Sequence, residues 1–355
     1  MNQDIILLGV FCILTIILSL FVNWFMLRYA GNKFAKDVPI GSQRWEAKKK
    51  PTIGGISFMV GFVGSILFYF LFWNDQAISI GNRISIFVMI CAISIAFVIG
   101  LYDDLRNAPV PIKFAVQIII AIALILAGIY IHFTDILLID YLLTIFWIVG
   151  IINSLNMLDN MDGVTAMVSI GILGNILFLS HHTITSLDML IIVGFICSII
   201  GFLRYNFHPS KIYMGDVGSM TLGCTLAIFG ILYIWNDPDS ASPISFVASF
   251  KHLLCVALVF LIPLTDTITV FTKRIAKHRS PFQGDKGHTT HHLVYAGWSQ
   301  KWVAPFYFII TILGGLLAHF MLYYHTIIFY IISIVYVVAV FGFLFGISLK
   351  NTDKE

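Results

Sequence analysis

Aspartates, asparagines and histidines crowd into four short polar stretches of a chain that is otherwise mostly hydrocarbon. GLYDDLRN (100–107) carries Asp103 and Asp104, and NSLNMLDNMDG (153–163) carries Asn153, Asn156, Asp159 and Asp162. RYNFHPSKIYMGD (204–216) adds Asn206, Tyr213 and Asp216, and HRSPFQGDKGHTTHH (278–292) adds Arg279, His288, His291 and His292. Hard oxygen donors in this number, without paired cysteines or an HExxH pattern, suit a cation that keeps some waters and meets phosphate oxygens. Mg²⁺ fits best, with Mn²⁺ able to substitute. The cations a pyrophosphate needs stand close by in Lys48, Lys49, Lys50, Lys113, Lys211 and Arg279. An oxygen-held metal beside fixed cations on an apolar protein points to phosphoryl chemistry at a membrane surface.

Spacing limits how these groups converge. Asn153, Asn156, Asp159 and Asp162 step by three, so on a regular helix the row drifts by about 60° per step. Asn153 and Asn156 are therefore expected to point into a bundle from the last turns of a helix. A break near Asn160 to Gly163 would let Asp159 and Asp162 reach the same cavity. Polar groups this deep between apolar runs are costly unless they face protein, water or ligand.

The elements that must position them are membrane helices. Of 355 residues 59% are hydrophobic and only 11% charged, with a mean hydropathy of +0.93, which excludes a water-soluble globule. About eleven apolar runs are long enough to cross a bilayer, near 4–26, 54–73, 84–102, 113–132, 141–156, 164–181, 186–204, 217–235, 252–272, 303–322 and 326–348. The expectation is an all-α, polytopic helical bundle forming one integral domain over 1–355, with motif loops at 27–53, 102–113, 156–163, 204–216 and 273–301. The net charge of +3 is mild and implies no nucleic-acid partner. The five cysteines lie inside apolar runs and read as small hydrophobes, and no signal peptide is expected at the acidic start.

Orientation follows from charge. With the N-terminus outside and the C-terminus inside, every Lys and Arg except Arg83 and Lys251 falls on the cytoplasmic side. All four polar stretches then share that face. The outer Asp140, His181, His182 and Asp188 read as solvated caps.

YDD, NSLNMLDNMDG, IYMGDVGSM and the SPF…HTTHH loop, in this order from PTIGG at 51 to HHL at 293, resemble the polyprenyl-phosphate N-acetylhexosamine-1-phosphate transferases, of glycosyltransferase family 4 type. The resemblance implies a multi-pass protein of a bacterial cytoplasmic membrane, passing a sugar 1-phosphate from a UDP-sugar to a polyprenyl phosphate and releasing UMP. It implies Asp216 and Asn156 at a Mg²⁺, Asp103 beside Asp104 deprotonating or positioning the lipid phosphate, and Asp159, Asp162, Asn206 and Tyr213 holding the uridine, Tyr213 by stacking. Asp159 is also counted, with His291 and His292, among the groups at the reaction centre. Lys49 and Lys113 become phosphate-binding cations, and Asn153, Arg279 and His288 substrate contacts.

The chain departs from the pattern in HTTHH, where H-x-H-H is commoner, and in Asn107, where a charge is frequent. His291-His292-Leu293 preceded by Arg279-Ser280-Pro281-Phe282 is similar to the undecaprenyl-phosphate N-acetylglucosamine-1-phosphate transferase branch. PTIGG is close to the phospho-N-acetylmuramoyl-pentapeptide transferases, which stand as the alternative. An ion-coupled transporter is a remote one, since no internal repeat is present. The glycan fed, a one-step or two-step route and a homodimer stay open. Asp266 in PLTDT either lines the site or bonds a neighbouring helix.

Overall fold

The computed structural model describes residues 2–30, 35–36, 50–73, 80–236, 246–278, 280, 286–324 and 326–351. A backbone in lipid must satisfy its own hydrogen bonds, and the apolar runs do so as helices. In chain order these are α1 (Asn2–Phe25), α2 (Ile56–Phe68), α3 (Ile80–Arg106), α4 (Val110–Leu126), α5 (Leu137–Leu158), α6 (Val164–Leu179) and α7 (Ser186–Asn206). They are followed by α8 (Gly215–Gly230), α9 (Phe246–Val259), α10 (Leu261–Ala276), α11 (Thr289–Tyr295), α12 (Gln300–Tyr324) and α13 (Ile327–Lys350). α1, α2 and α8 each run on into a π-helical turn.

Each expected segment contains a helix, with two differences. Among the described residues eight helices are long and apolar enough to cross a bilayer. α4 and α6 have 17 and 16 residues; at about 1.5 Å per residue they fall short of the ~30 Å hydrocarbon core. The expected span 252–272 is broken at Phe260 into α9 and α10, bent by 83°. Pro263 supplies the reason: it has no N–H to continue the α9 ladder, yet is tolerated in the first turn of a new helix.

α8 is the axis. It packs on α3, α5, α6 and α2, and every residue of Gly215–Gly230 except Asp216 is buried. Helix association in lipid relies on close backbone approach, and Gly100 provides it. A Cβ at Gly100 would meet the backbone of Asp216 and Val217, so α3 reaches α8 just before Asp103 and Asp104. Residues 51–55 brace the other side, through Tyr213 N to Pro51 O (2.8 Å), Gly54 N to Tyr213 O (3.0 Å) and Gly55 N to Met214 O (3.0 Å).

The far end of the bundle is closed by Asn236, which donates to Tyr130 O (2.8 Å) and accepts from His132 N (2.9 Å). Asp140 and Asp188 there are buried rather than solvated. Asp140 accepts from the Phe133 and Thr134 amides, and Asp188 from the Tyr233 hydroxyl at 2.6 Å. Short carboxylates that cap turns shed water when the loops around them are tight. A cavity of about 330 Å³ also lies at this end, lined by His181, His182, Lys251, His252 and His319.

Gly215 has φ +74°, and a Cβ on it would fall on Thr52 O and the Asp104 carboxylate. Gly128 has φ +80° with open space around it. Gly128→Ala should therefore lose only the backbone term, about 1–2 kcal/mol. Gly215→Ala is expected to lose clearly more, read as a larger drop in Tm of detergent-purified protein; equal drops would mean that the Thr52–Asp104 contact yields freely.

Candidate active site

Two carboxylates from different helices meet at the one unburied position of α8. Asp216 opens α8, and Asp103, in the last turn of α3, lies within hydrogen-bonding reach of it. Lys113, in the first turn of α4, places its ammonium 3.0 Å from Asp103 Oδ2 and 3.2 Å from Asp216 Oδ2. Two like charges this close repel, and the Lys113 ammonium offsets that repulsion. Asp103 is held from below by the Ala108 amide, 2.6 Å from its Oδ1. Asn156, in the last turn of α5, donates to Ser219 Oγ at 3.1 Å, one turn after Asp216 on α8. The Asp216 side chain is 27% exposed and that of Lys113 22%, so the cluster opens to incoming ligands.

The donor set fits a hard dication. Asp216, Asp103 and Asn156 offer only oxygens to a metal. Among the described residues no group of three or more His, Cys, Asp or Glu converges on one point. A cation held here would keep waters and complete its shell with substrate phosphate oxygens, as Mg²⁺ characteristically does.

Asp104 turns away from its neighbour. Its Oδ2 accepts from the Val217 amide at 2.8 Å, capping α8 at the end where its dipole favours negative charge. This cap holds the start of α8, and with it Asp216, in place.

The helix break expected near Asn160 is present: α5 stops at Leu158 and α6 starts after Gly163, which has φ +73°. Asp159 is the half-buried C-cap residue of α5. Asp162 and Asn206 do not face open space. Asp162 accepts from Ser210 Oγ (2.7 Å) and Ser210 N (2.9 Å) and sits 3.3 Å from His208 Nδ1. Asn206 accepts from Gly163 N (3.0 Å) and donates to Ile212 O (2.9 Å). Both are buried and sew the α5–α6 turn to the loop before α8, because that loop has no regular structure to satisfy its own amides. Tyr213 is 2% exposed and carries the Lys50 ammonium 4.9 Å from its ring centroid, a cation–π contact in place of an open stacking face. Asn153 commits its amide to Gln117 Oε1 (2.6 Å) and Val149 O (2.8 Å), tying α5 to α4.

The histidine loop is anchored from below. Asp266 bonds a neighbouring element: it accepts from His288 Nδ1 (2.8 Å), Thr289 N (2.8 Å) and Thr289 Oγ1 (2.6 Å). Thr290 Oγ1 reaches Asn160 Oδ1 at 2.6 Å, which brings α11 to the α5–α6 turn. His291 Nδ1 meets Lys286 O at 3.0 Å, and His292 Nε2 meets Lys273 at 2.7 Å. Lys49 and Arg279 lie outside the described residues. Ser210, Ser219, Gln117 and Lys273 carry contacts that composition did not single out; only Ser219, one turn after Asp216, had a spacing that pointed to it.

Residues 86–234 match glycosyl transferase family 4. The chain is 28% identical over 312 residues to the "Probable undecaprenyl-phosphate N-acetylglucosaminyl 1-phosphate transferase" of Bacillus subtilis (strain 168), covering 85% of this chain and 81% of that one. It is 31% identical over 288 residues to the decaprenyl-phosphate N-acetylglucosaminephosphotransferase of Mycobacterium leprae (strain TN), covering 71% and 68%. The chain belongs to glycosyl transferase family 4. The phospho-N-acetylmuramoyl-pentapeptide-transferase of Lactobacillus johnsonii, 26% identical over 328 residues, covers 86% of this chain and 95% of that one. Within this glycosyl transferase the matched segment holds Asp103, Lys113, Asn156 and Asp216, and it ends before the histidine loop.

Two predictions follow from the buried contacts. Asp104→Asn keeps an oxygen for the Val217 amide and should hold Tm nearly constant, whereas Asp104→Ala loses the cap and about 1 kcal/mol; equal stability of the two would remove the capping role. Burial, with His288 beside it, pushes the His291 imidazole down from 6.5 to about 3. The unfolded chain takes up this proton below about 6.5 and the folded chain does not. Stability from this group is therefore complete above that pH and falls as acid is added, by roughly 2 kcal/mol at pH 5. His291→Gln should flatten the fall of Tm between pH 7 and pH 5, and an unchanged slope counts against a buried neutral imidazole.

Proposed function

We propose that this membrane transferase passes N-acetylglucosamine 1-phosphate from UDP-N-acetylglucosamine to undecaprenyl or a related polyprenyl phosphate, releasing UMP and starting a lipid-linked cell-envelope glycan. The observation that carries the reading is the Asp103–Lys113–Asp216 cluster, in a chain whose Bacillus and Mycobacterium relatives are named for this transfer. The lysine and arginine bias supports a cluster facing the cytoplasm from a bacterial inner membrane, where UDP-sugars are available.

Lys113 draws phosphate oxygens to the cluster and neutralises them as they arrive. Asp103, fixed by the Ala108 amide and Lys113, aligns the lipid phosphate. A phosphate monoester is largely ionised near neutral pH, with a second pKa of about 6, so alignment matters more than proton removal. A lipid phosphate oxygen bonds to the sugar-bearing phosphorus while the bond from that phosphorus to the bridging oxygen breaks, and UMP leaves with the electron pair. Mg²⁺, which Asp216 and Asn156 would hold, supplies charge neutralisation for the pyrophosphate and the departing UMP. His288, held through Nδ1 by Asp266, anchors the histidine loop.

The Lactobacillus relative, matched over 95% of its length, makes UDP-N-acetylmuramoyl-pentapeptide the competing donor. The test uses protein in nanodiscs, polyprenyl phosphate, Mg²⁺ and both labelled UDP-sugars in competition. UDP-N-acetylglucosamine should be used at least about tenfold faster, and Asp216→Asn should lose about 100-fold or more in kcat with an unchanged elution profile. Preference for the pentapeptide donor reverses the sugar assignment; near-normal turnover of Asp216→Asn across a Mg²⁺ titration removes Asp216 from the metal site.

A further inference from the structure

α10 presents two ionisable side chains to the histidine helix from one face. Asp266 and Lys273 are seven residues apart, about two turns. Asp266 takes His288 and Thr289 at one end of α11, and Lys273 takes His292 at the other. The Lys273 ammonium lies 2.7 Å from His292 Nε2 and 3.1 Å from Ser348 Oγ, in the last turn of α13. Lys273 is 7% exposed, and His292 and Ser348 are fully buried.

The direction of the 2.7 Å contact follows from chemistry. An alkyl amine is more basic than imidazole by about four pKa units, so a proton shared between them resides on the lysine. An ammonium has three donors and no lone pair. Nε2 of His292 must therefore accept, and the imidazole N–H is on Nδ1. A free imidazole is under no such constraint. The same ammonium donates to Ser348, so the C-terminal helix holds the lysine that holds the histidine. α13 also packs directly on α10 and α11.

We propose that Lys273 is a positioning residue of the transferase site: it fixes His292 as the neutral Nδ1–H tautomer and, through Ser348, makes α13 part of the frame of the histidine loop. His292 is then neutral, with its N–H on Nδ1, and its ring is held in one orientation in the histidine loop. Its consequence for turnover rests on the N-acetylglucosamine-1-phosphate transfer proposed above; the tautomer itself does not.

The experiment uses the full chain in nanodiscs with ¹⁵N-labelled histidine. His292→Gln identifies the His292 signals by difference. In the wild type at pH 7, His292 is expected to show a protonated Nδ1 and an unprotonated Nε2; a protonated Nε2 overturns the proposal, whether or not any variant folds. Lys273→Arg, which keeps a donor-only cation, should retain this pattern. Lys273→Met should release it towards a mixture of tautomers and lower kcat about tenfold or more with KM for polyprenyl phosphate little changed. An unchanged His292 spectrum in folded Lys273→Met also overturns it, as does Lys273→Arg behaving like Lys273→Met. If the wild type transfers neither UDP-sugar while its spectrum is as expected, the transfer reading fails and the tautomer assignment stands.

Discussion

One ammonium between two carboxylates governs the active end of this protein. Asp103 and Asp216 come from α3 and α8, and Lys113 from α4 meets both within 3.2 Å. Without a cation the two acids would repel in a setting with little water to screen them. With it, three helix ends are locked together and a strongly polar point is left at the surface of an otherwise apolar bundle. An oxygen-rich site that also carries a fixed positive charge can meet a dication and a phosphate at once.

The rest of the bundle serves to hold that point still. α8 is buried at every position of Gly215–Gly230 except Asp216, so its N-terminus cannot drift. Gly100 lets α3 close on it, Asp104 caps it, and residues 51–55 hydrogen-bond the residues before it. Asp162 and Asn206 satisfy the irregular loop that leads into α8. Buried backbone amides outside helices need partners, and short polar side chains from the neighbouring turn are the nearest available. These residues build the frame that holds the cluster.

The histidine loop is organised on the same principle from the other side. The break at Phe260 and Pro263 lets α10 leave the line of α9 and run beneath α11. Asp266 and Lys273 then order two histidines by opposite means, an acceptor at one and a donor at the other. Thr290 joins this assembly to the turn after α5, so the polar stretches 153–163 and 278–292 become one wall.

The amino-acid sequence by itself determined the class of the protein, because hydropathy and charge respond to the bilayer and need no tertiary contact. The helical character of the apolar runs and the helix break at Asn160–Gly163 were legible, the latter because a step of three cannot stay on one helix face. Tertiary structure decided which of these side chains meet. Adjacent residues on a helix diverge by about 100°, so Asp103 and Asp104 are equivalent in sequence while one joins Lys113 and the other caps α8. Asn153, Asp162, Asn206 and Tyr213 have the right chemistry for a ligand, but each is committed to a neighbour that lies between 4 and 163 residues away along the chain. The burial that makes those polar groups need a partner is a property of the packed bundle, and no local pattern carries it.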